Sequence, residues 1–190
     1  MTNHNGNQKN GDEKQTLVLY VEDKPGVLNR VASLFRRRAF NIESLTVGHT
    51  DLEGVSRMTI VLDADDDIAI RVEANLYKLV NVLRVENVTH TPTVDRDLAL
   101  IKVKATIENR AEVLQVCDVF RARVVDVATD ALIVEITGAE DKIDGLLDVL
   151  KPFGILEMVR TGRVSMTRGS ETPTIHPEFV PARVPEENAS

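Results

Sequence analysis

One order of apolar patterns occurs twice in this chain and limits its fold more than any other feature. From Leu17 onward the apolar residues follow the spacing of a strand, a helix, two strands, a helix and a strand, and the same order begins again at Leu98. Alternation with period two indicates a strand, whereas apolar residues at i, i+3, i+4 and i+7 indicate a helix. The sequence therefore predicts an α+β fold of two tandem ferredoxin-like βαββαβ domains, each with two helices on one face of an antiparallel sheet.

Breaks in this pattern predict the boundaries of the domains. Residues 1–15 are almost free of apolar side chains and cannot bury enough surface to offset the entropy of ordering, so they are predicted to be a disordered arm. The first domain is assigned to residues 16–90, a linker to 91–96, and the second domain to 97–168. The segment 169–190 has four of the seven prolines and no periodicity. It is predicted to be a flexible tail.

Charge and apolar run length exclude several classes of partner. The chain has 30 acidic and 23 basic residues and a formal net charge of −7, which argues against nucleic acid and against anionic membranes. The longest unbroken apolar run, Leu17 to Val21, is far too short to span a bilayer. Residues 1–15 have neither the apolar core of a secretory signal nor the Arg-rich composition of a transit peptide. The chain is expected to be cytoplasmic.

The sequence contains no recognisable catalytic or metal-binding constellation. Its four histidines are far apart, and no His/Cys spacing indicates zinc. Cys117 lies in phase with the apolar face of its predicted helix, which favours a buried thiol over a nucleophile. The run Asp65–Asp67 begins a predicted helix, where carboxylates usually act as caps and dipole partners. We therefore expect no catalytic residue, no metal site and no cofactor in this chain.

The turn between the first predicted strand and the first predicted helix is the main candidate for ligand binding. Pro25 suits a first helical turn because its φ is already helical, and Gly26 leaves the backbone bare beside the free amides of that turn. Free amides and the helix dipole attract a small carboxylate. The alternative is a tight strand-to-helix turn that binds no ligand.

A free amino acid matches the residue types around this turn. The amides near Gly26 would hold its carboxylate, and Asp23 or the side-chain amide of Asn41 would accept from its ammonium. Asn41 also follows a predicted helix end, where Asn is common for backbone reasons alone. The candidate residues, including aliphatic neighbours for an aliphatic side chain, are Asp23, Gly26, Val27, Leu28, Asn41 and Ile42.

Longer stretches of the chain resemble a known family. The segment Asp23–Leu28, placed in a βαββαβ module, resembles the effector loop of the ACT domain, a regulatory amino-acid-binding fold. Further matches run in order from about Thr16 to Gly169, and with them the chain resembles the regulatory subunits of acetohydroxyacid synthase (acetolactate synthase). These matches are Phe40–Gly48, Ser56–Ile60, Leu76–Val82, Val94–Val103 and Gly162–Gly169.

This resemblance implies a regulatory subunit with no catalysis of its own. In this family such a subunit binds a large catalytic subunit and raises its activity. The catalytic subunit is expected to hold thiamine diphosphate, magnesium and FAD. The complex joins pyruvate to a second 2-oxo acid, in the first shared step of branched-chain amino-acid biosynthesis. The regulatory subunit makes it sensitive to feedback inhibition by valine, leucine or isoleucine, typically valine.

The resemblance also implies a homodimer that binds the effector where two ACT domains meet. One subunit would contribute the turn residues Asp23, Gly26, Val27 and Leu28. Its mate would contribute Asn41 and Ile42. Many family members have Asn at the position of Asp23, and a carboxylate there accepts from an ammonium but cannot donate. Two alternatives stay open, a stand-alone ACT-domain sensor acting on another enzyme or on gene expression, and a small enzyme on the same scaffold.

Overall fold

The computed structural model describes residues 14–170 and Ile175, and these residues form two compact units. The second unit is Thr93–Met166, and the first contains the remaining described residues. Positions 1–13 of the predicted arm lie outside the described residues. The predicted tail also lies outside them, except for Gly169, Ser170 and Ile175.

The first unit is a four-stranded antiparallel sheet with two helices. The strand order is β2-β3-β1-β4, so β2 and β4 form the edges. The helices and the sheet enclose one apolar core, which includes Leu17, Leu19 and Val21 of the first strand and Val31 and Phe35 of the first helix. The elements are β1 (Lys14–Glu22), α1 (Val27–Arg38), β2 (Ile42–His49), β3 (Val55–Asp63), α2 (Asp66–Leu76) and β4 (Val82–Asn87).

The second unit repeats this topology with one additional strand. Its sheet order is β6-β7-β5-β8, and β9 pairs with β5 beside that path. The predicted α+β fold of two βαββαβ modules is therefore confirmed. The elements are β5 (Thr93–Lys104), α3 (Arg110–Phe120), β6 (Arg123–Val127), β7 (Ala131–Gly138), α4 (Glu140–Leu150), a single 3-10 turn (Lys151–Phe153), β8 (Ile155–Arg160) and β9 (Val164–Thr167).

Local signals at the helix ends explain where several helices begin and end. The Asp65 side chain accepts from the amide of Ile68 at 2.8 Å and so caps α2, as predicted for this acidic run. The helix α1 ends at Ala39, which has φ of 55°, and α3 ends in the same way at Arg121, with φ of 52°. In each case the left-handed residue lets two backbone amides bond to carbonyls of the last helical turn.

The structure differs from the sequence-based boundaries at three places. Strand β1 begins at Lys14, inside the predicted arm, because Gln15 is fully buried and pairs with Leu62 of β3. Strand β5 begins at Thr93, inside the predicted linker 91–96. The short strand β9, which pairs with β5, was not predicted. These segments are strands because neighbouring strands that are distant in sequence complete their backbone hydrogen bonds. The local spacing of apolar residues does not show where such neighbouring strands lie.

Candidate functional site

The turn after β1 presents unpaired backbone amides at the start of α1. Gly26 is the N-cap residue and has φ of 85° and ψ of −6°, a left-handed conformation that favours glycine. Its carbonyl accepts from the amide of Arg30 at 3.0 Å, which begins the helical ladder. Within residues 14–170 no acceptor bonds the amides of Gly26, Leu28 or Asn29. Such amides at a helix start are suited to bind a carboxylate.

The space in front of this turn is open. A Cβ atom built on Gly26 would meet no heavy atom within 4 Å. The Leu28 side chain is 46% exposed, so it offers an aliphatic surface beside the free amides. These two predicted site residues are therefore placed where a small ligand has access to them.

Val27 is less accessible to a ligand than the sequence suggests. Its side chain is only 4% exposed and belongs to the core of the first unit. Its amide already donates to the carbonyl of Lys24 at 3.3 Å. Helical periodicity turns Val27 inward, because it is the first residue of the apolar face of α1. Gly26 and Leu28 are thus better placed than Val27 to hold a carboxylate.

Asp23 places a carboxylate at the other end of the same turn. Its amide donates to the carbonyl of Gly54 at 2.8 Å, which fixes the turn against the β2–β3 connection. Its side chain is 48% exposed and lies 3.3 Å from Nδ1 of His49. Sequence reasoning treated His49 as an isolated histidine. The two consecutive strands of the predicted βαββαβ order were the available signal, because the connection between β2 and β3, next to His49, lies beside the turn.

Asn41 and Ile42 lie at the start of β2. Asn41 is exposed, and Ile42 is half-buried and packs against the core. The backbone explanation for Asn41 does not apply, because the left-handed residue that ends α1 is Ala39. The Asn41 side chain is therefore available for contacts outside its own chain.

A single copy of the chain holds the two halves of the predicted site far apart. The strand register places Ile42 beside Leu62, which in turn pairs with Gln15 near the beginning of β1. Glu22, next to the turn, pairs with Val55 at the other end of β3. The interval from Val55 to Leu62 corresponds to roughly 23 Å along a strand. Asn41 and Ile42 thus lie at the opposite end of the sheet from the turn.

Outside this region the described residues include neither a reactive thiol nor a group of metal ligands. Cys117 is 2% exposed, and burial, followed by the negative charge of Asp118, raises the pKa of its thiol. A thiol in such an environment is a weak nucleophile. Across residues 14–170 no three His, Cys, Asp or Glu side chains are grouped as metal ligands would be.

No helix among the described residues has the length and apolarity needed to cross a bilayer.

An apolar cavity of about 270 Å³ lies in the second unit between α4 and β8, and none of the predicted site residues lines it.

The chain matches two families along most of its described length. Residues 17–84 match the family described as an AHAS small subunit-like ACT domain, in which AHAS stands for acetohydroxyacid synthase. Residues 96–169 match the family described as the small subunit of acetolactate synthase. The first match contains all six predicted site residues.

Individual relatives carry the same description. The chain is 49% identical over 158 residues to the probable acetolactate synthase small subunit of Archaeoglobus fulgidus, covering 83% of this chain and 99% of the relative. It is 47% identical over 160 residues to the acetolactate synthase small subunit of Mycolicibacterium smegmatis, covering 84% and 94%. The crystal structure of the small subunit from Thermotoga maritima superposes with a TM-score of 0.77 at 37% identity, covering 83% of this chain and 99% of that one.

Proposed function

Since the chain belongs to the family of acetolactate synthase small subunits, we propose that it activates the large catalytic subunit and confers feedback inhibition by a branched-chain amino acid. The catalytic subunit would carry the reaction and its cofactors, thiamine diphosphate, magnesium and FAD. This chain would carry the effector site. We place the complex in the cytoplasm, as is expected for a biosynthetic enzyme of this kind.

The observation that carries the proposal is the set of free amides beside an exposed leucine. The effector carboxylate would accept from the amides of Gly26 and Leu28, which no other described group occupies. The Asp23 carboxylate would accept from the effector ammonium, since half of its side chain is exposed. The Leu28 side chain would contact the aliphatic group. Together these contacts match each part of a free branched-chain amino acid.

A second copy of the chain would complete the site. The strand β2 is an edge of its sheet and is free to meet the same strand of a mate. If two β2 strands run antiparallel across a twofold axis, the start of one lies beside the end of the other. Asn41 and Ile42 of the mate would then approach the turn at Asp23–Leu28. The roughly 23 Å between the two halves in one copy supports this arrangement.

An effector at such an interface acts through its different affinity for two arrangements of the pair. Coupling of this kind is typically about 1–3 kcal/mol, or roughly 5- to 150-fold in affinity. Valine and leucine differ by one methylene, worth about 0.8 kcal/mol when buried. We therefore expect valine, leucine and isoleucine to bind within several-fold of one another, with valine the first effector to test.

Reconstitution with the catalytic subunit tests this function. We expect acetolactate formation to rise when the chain is added and to fall in a saturable way as valine is titrated. The two proteins should also co-purify. A catalytic subunit whose activity and retention are unaffected by the chain would contradict the proposal. Binding of a branched-chain amino acid without activation would instead favour the stand-alone amino-acid sensor.

A further inference from the structure

Glu22 and Asn81, next to the turn Asp23–Leu28, are joined by hydrogen bonds in both directions. The Glu22 amide donates to the carbonyl of Asn81 at 2.9 Å, and the Asn81 side-chain amide donates to Glu22 Oε2. Glu22 ends β1 and Asn81 lies in the α2–β4 connection, so these contacts join segments distant in sequence. We call this pair of residues the Glu22–Asn81 clamp.

The same carboxylate also binds the turn itself. Lys24 Nζ donates to Glu22 Oε1 at 3.0 Å, and the Lys24 amide donates to the Glu22 carbonyl at 3.0 Å. The Glu22 side chain is only 16% exposed. The hydrogen bond from Lys24, and then that from Asn81, lower the pKa of the Glu22 carboxyl, so it is ionised at neutral pH. Both carboxylate oxygens are therefore in use, one toward the turn and one toward the α2–β4 connection.

Asn81 has a second unusual feature. Its Oδ1 atom is buried and accepts no hydrogen bond from any group between positions 14 and 170. An unpaired buried acceptor is unfavourable, so its presence calls for a compensating role of the same side chain. The hydrogen bond from the Asn81 side-chain amide to the Glu22 carboxylate compensates for this unpaired acceptor.

The clamp matters because few backbone hydrogen bonds between described residues hold the turn near Gly26. Glycine restricts the backbone less than any other residue type, and no described acceptor bonds the amides of Gly26 and Leu28. Among the residues that the structure describes, the one other backbone bond from the turn to a neighbouring segment is that from Asp23 to Gly54. If the turn is already ordered before binding, the effector binds more tightly, because no binding free energy is spent on ordering the turn.

We propose that Glu22 and Asn81 are positioning residues that hold the turn in its effector-binding conformation. This inference rests on the proposed function, because it assumes that the turn binds a branched-chain amino acid. Neither residue would touch the effector. Loss of the clamp should weaken effector affinity by roughly 5- to 30-fold, the equivalent of ordering about one backbone residue on binding.

A swap of the two functional groups separates this role from general damage. In Asn81→Asp two carboxylates face each other and repel. In Glu22→Gln the Asn81 amide can turn over, so that its otherwise unpaired Oδ1 accepts from the new amide at 22. In the double variant E22Q/N81D the new amide at 22 can donate to the new carboxylate at 81 and still accept from Lys24. Asn81→Asp should bind valine weakly, Glu22→Gln should lose much less affinity, and the double variant should recover most of the affinity that Asn81→Asp loses. Asn75→Asp, on the neighbouring helix, is the control for added charge.

Two measurements on the full chain keep the outcomes distinct. Calorimetry gives the valine affinity, and hydrogen exchange without valine reports the bonded amides of Lys24 and Val27. Faster exchange in Asn81→Asp, with affinity and exchange restored together in the double variant, supports the clamp. Unchanged exchange overturns it, and so does faster exchange with wild-type affinity. If the wild-type chain binds no branched-chain amino acid, the proposed function fails, and exchange alone then decides whether the clamp orders the turn.

Discussion

Replacing Gly26 by Asp should abolish most of the feedback inhibition while leaving activation intact. The position tolerates a side chain sterically, because nothing lies within 4 Å of a Cβ atom built there. The backbone φ of 85° is unfavourable for most residues, although Asn and Asp adopt it more readily than others. Gly26→Asn is therefore the matched control, since it has nearly the same shape and the same backbone strain but no charge.

The magnitude follows from the charge difference between these two variants. An aspartate at 26 would lie beside the amides proposed to hold the effector carboxylate, so two negative charges would stand about 4 Å apart. Their repulsion is about 1 kcal/mol at the dielectric constant of water and about 4 kcal/mol at an effective value of 20. Because Leu28 and Asp23 leave the site half-exposed, we expect the lower half of this range. Gly26→Asp should therefore bind valine roughly 5- to 70-fold more weakly than Gly26→Asn.

The assay is acetolactate formation by the reconstituted complex across a valine titration at two salt concentrations. Both variants should activate the catalytic subunit, and only Gly26→Asp should need far more valine for half-inhibition. The difference between the two variants in the valine concentration for half-inhibition should become smaller at high salt, since exposed charges are screened. Equal inhibition constants for the two variants would show that the effector carboxylate does not lie at this turn, and the proposed binding mode would be refuted.

Further changes test the site, the core and the ionisation of the clamp. Asn41→Ala should weaken valine binding by about 10-fold or more, because a hydrogen bond to a charged group is worth about 1.5–3 kcal/mol; wild-type affinity in calorimetry would exclude Asn41 from the site. Ile101→Ala removes a fully buried side chain and should lower the unfolding free energy of the second unit by about 2–5 kcal/mol in urea titrations; a change under 1 kcal/mol would contradict the close packing there. The folded-state pKa of Glu22 is lowered from 4.5, so its contribution to stability is complete above that pH and is lost as the pH falls through the folded-state value. Thermal unfolding of the wild-type chain and of Glu22→Gln should therefore converge in acid, and a constant difference between them would contradict this.

The amino-acid sequence by itself determined the element order of both units and the chemistry of the turn. The spacing of apolar residues records which faces are buried, and this pattern predicted the strand, helix, strand, strand, helix, strand order that both units show. Pro25 and Gly26 predicted a turn into a helix, and α1 does begin at Val27, because punctuation by Pro and Gly is local chemistry. The strand β9 was missed because four residues are too few to establish a period, and its buried residue is Ser165 while Val164 and Met166 are exposed.

Only the tertiary structure decided which residues stand together at the site. The inward side chain of Val27, the approach of His49 to Asp23 and the pairing of Glu22 with Asn81 all depend on strand register and loop packing. The separation of Asn41 from the turn within one copy likewise follows from the register of β2 on β3. Register is fixed by the summed packing of whole strands, so residues far apart in sequence meet without any local signal in the segments that carry them.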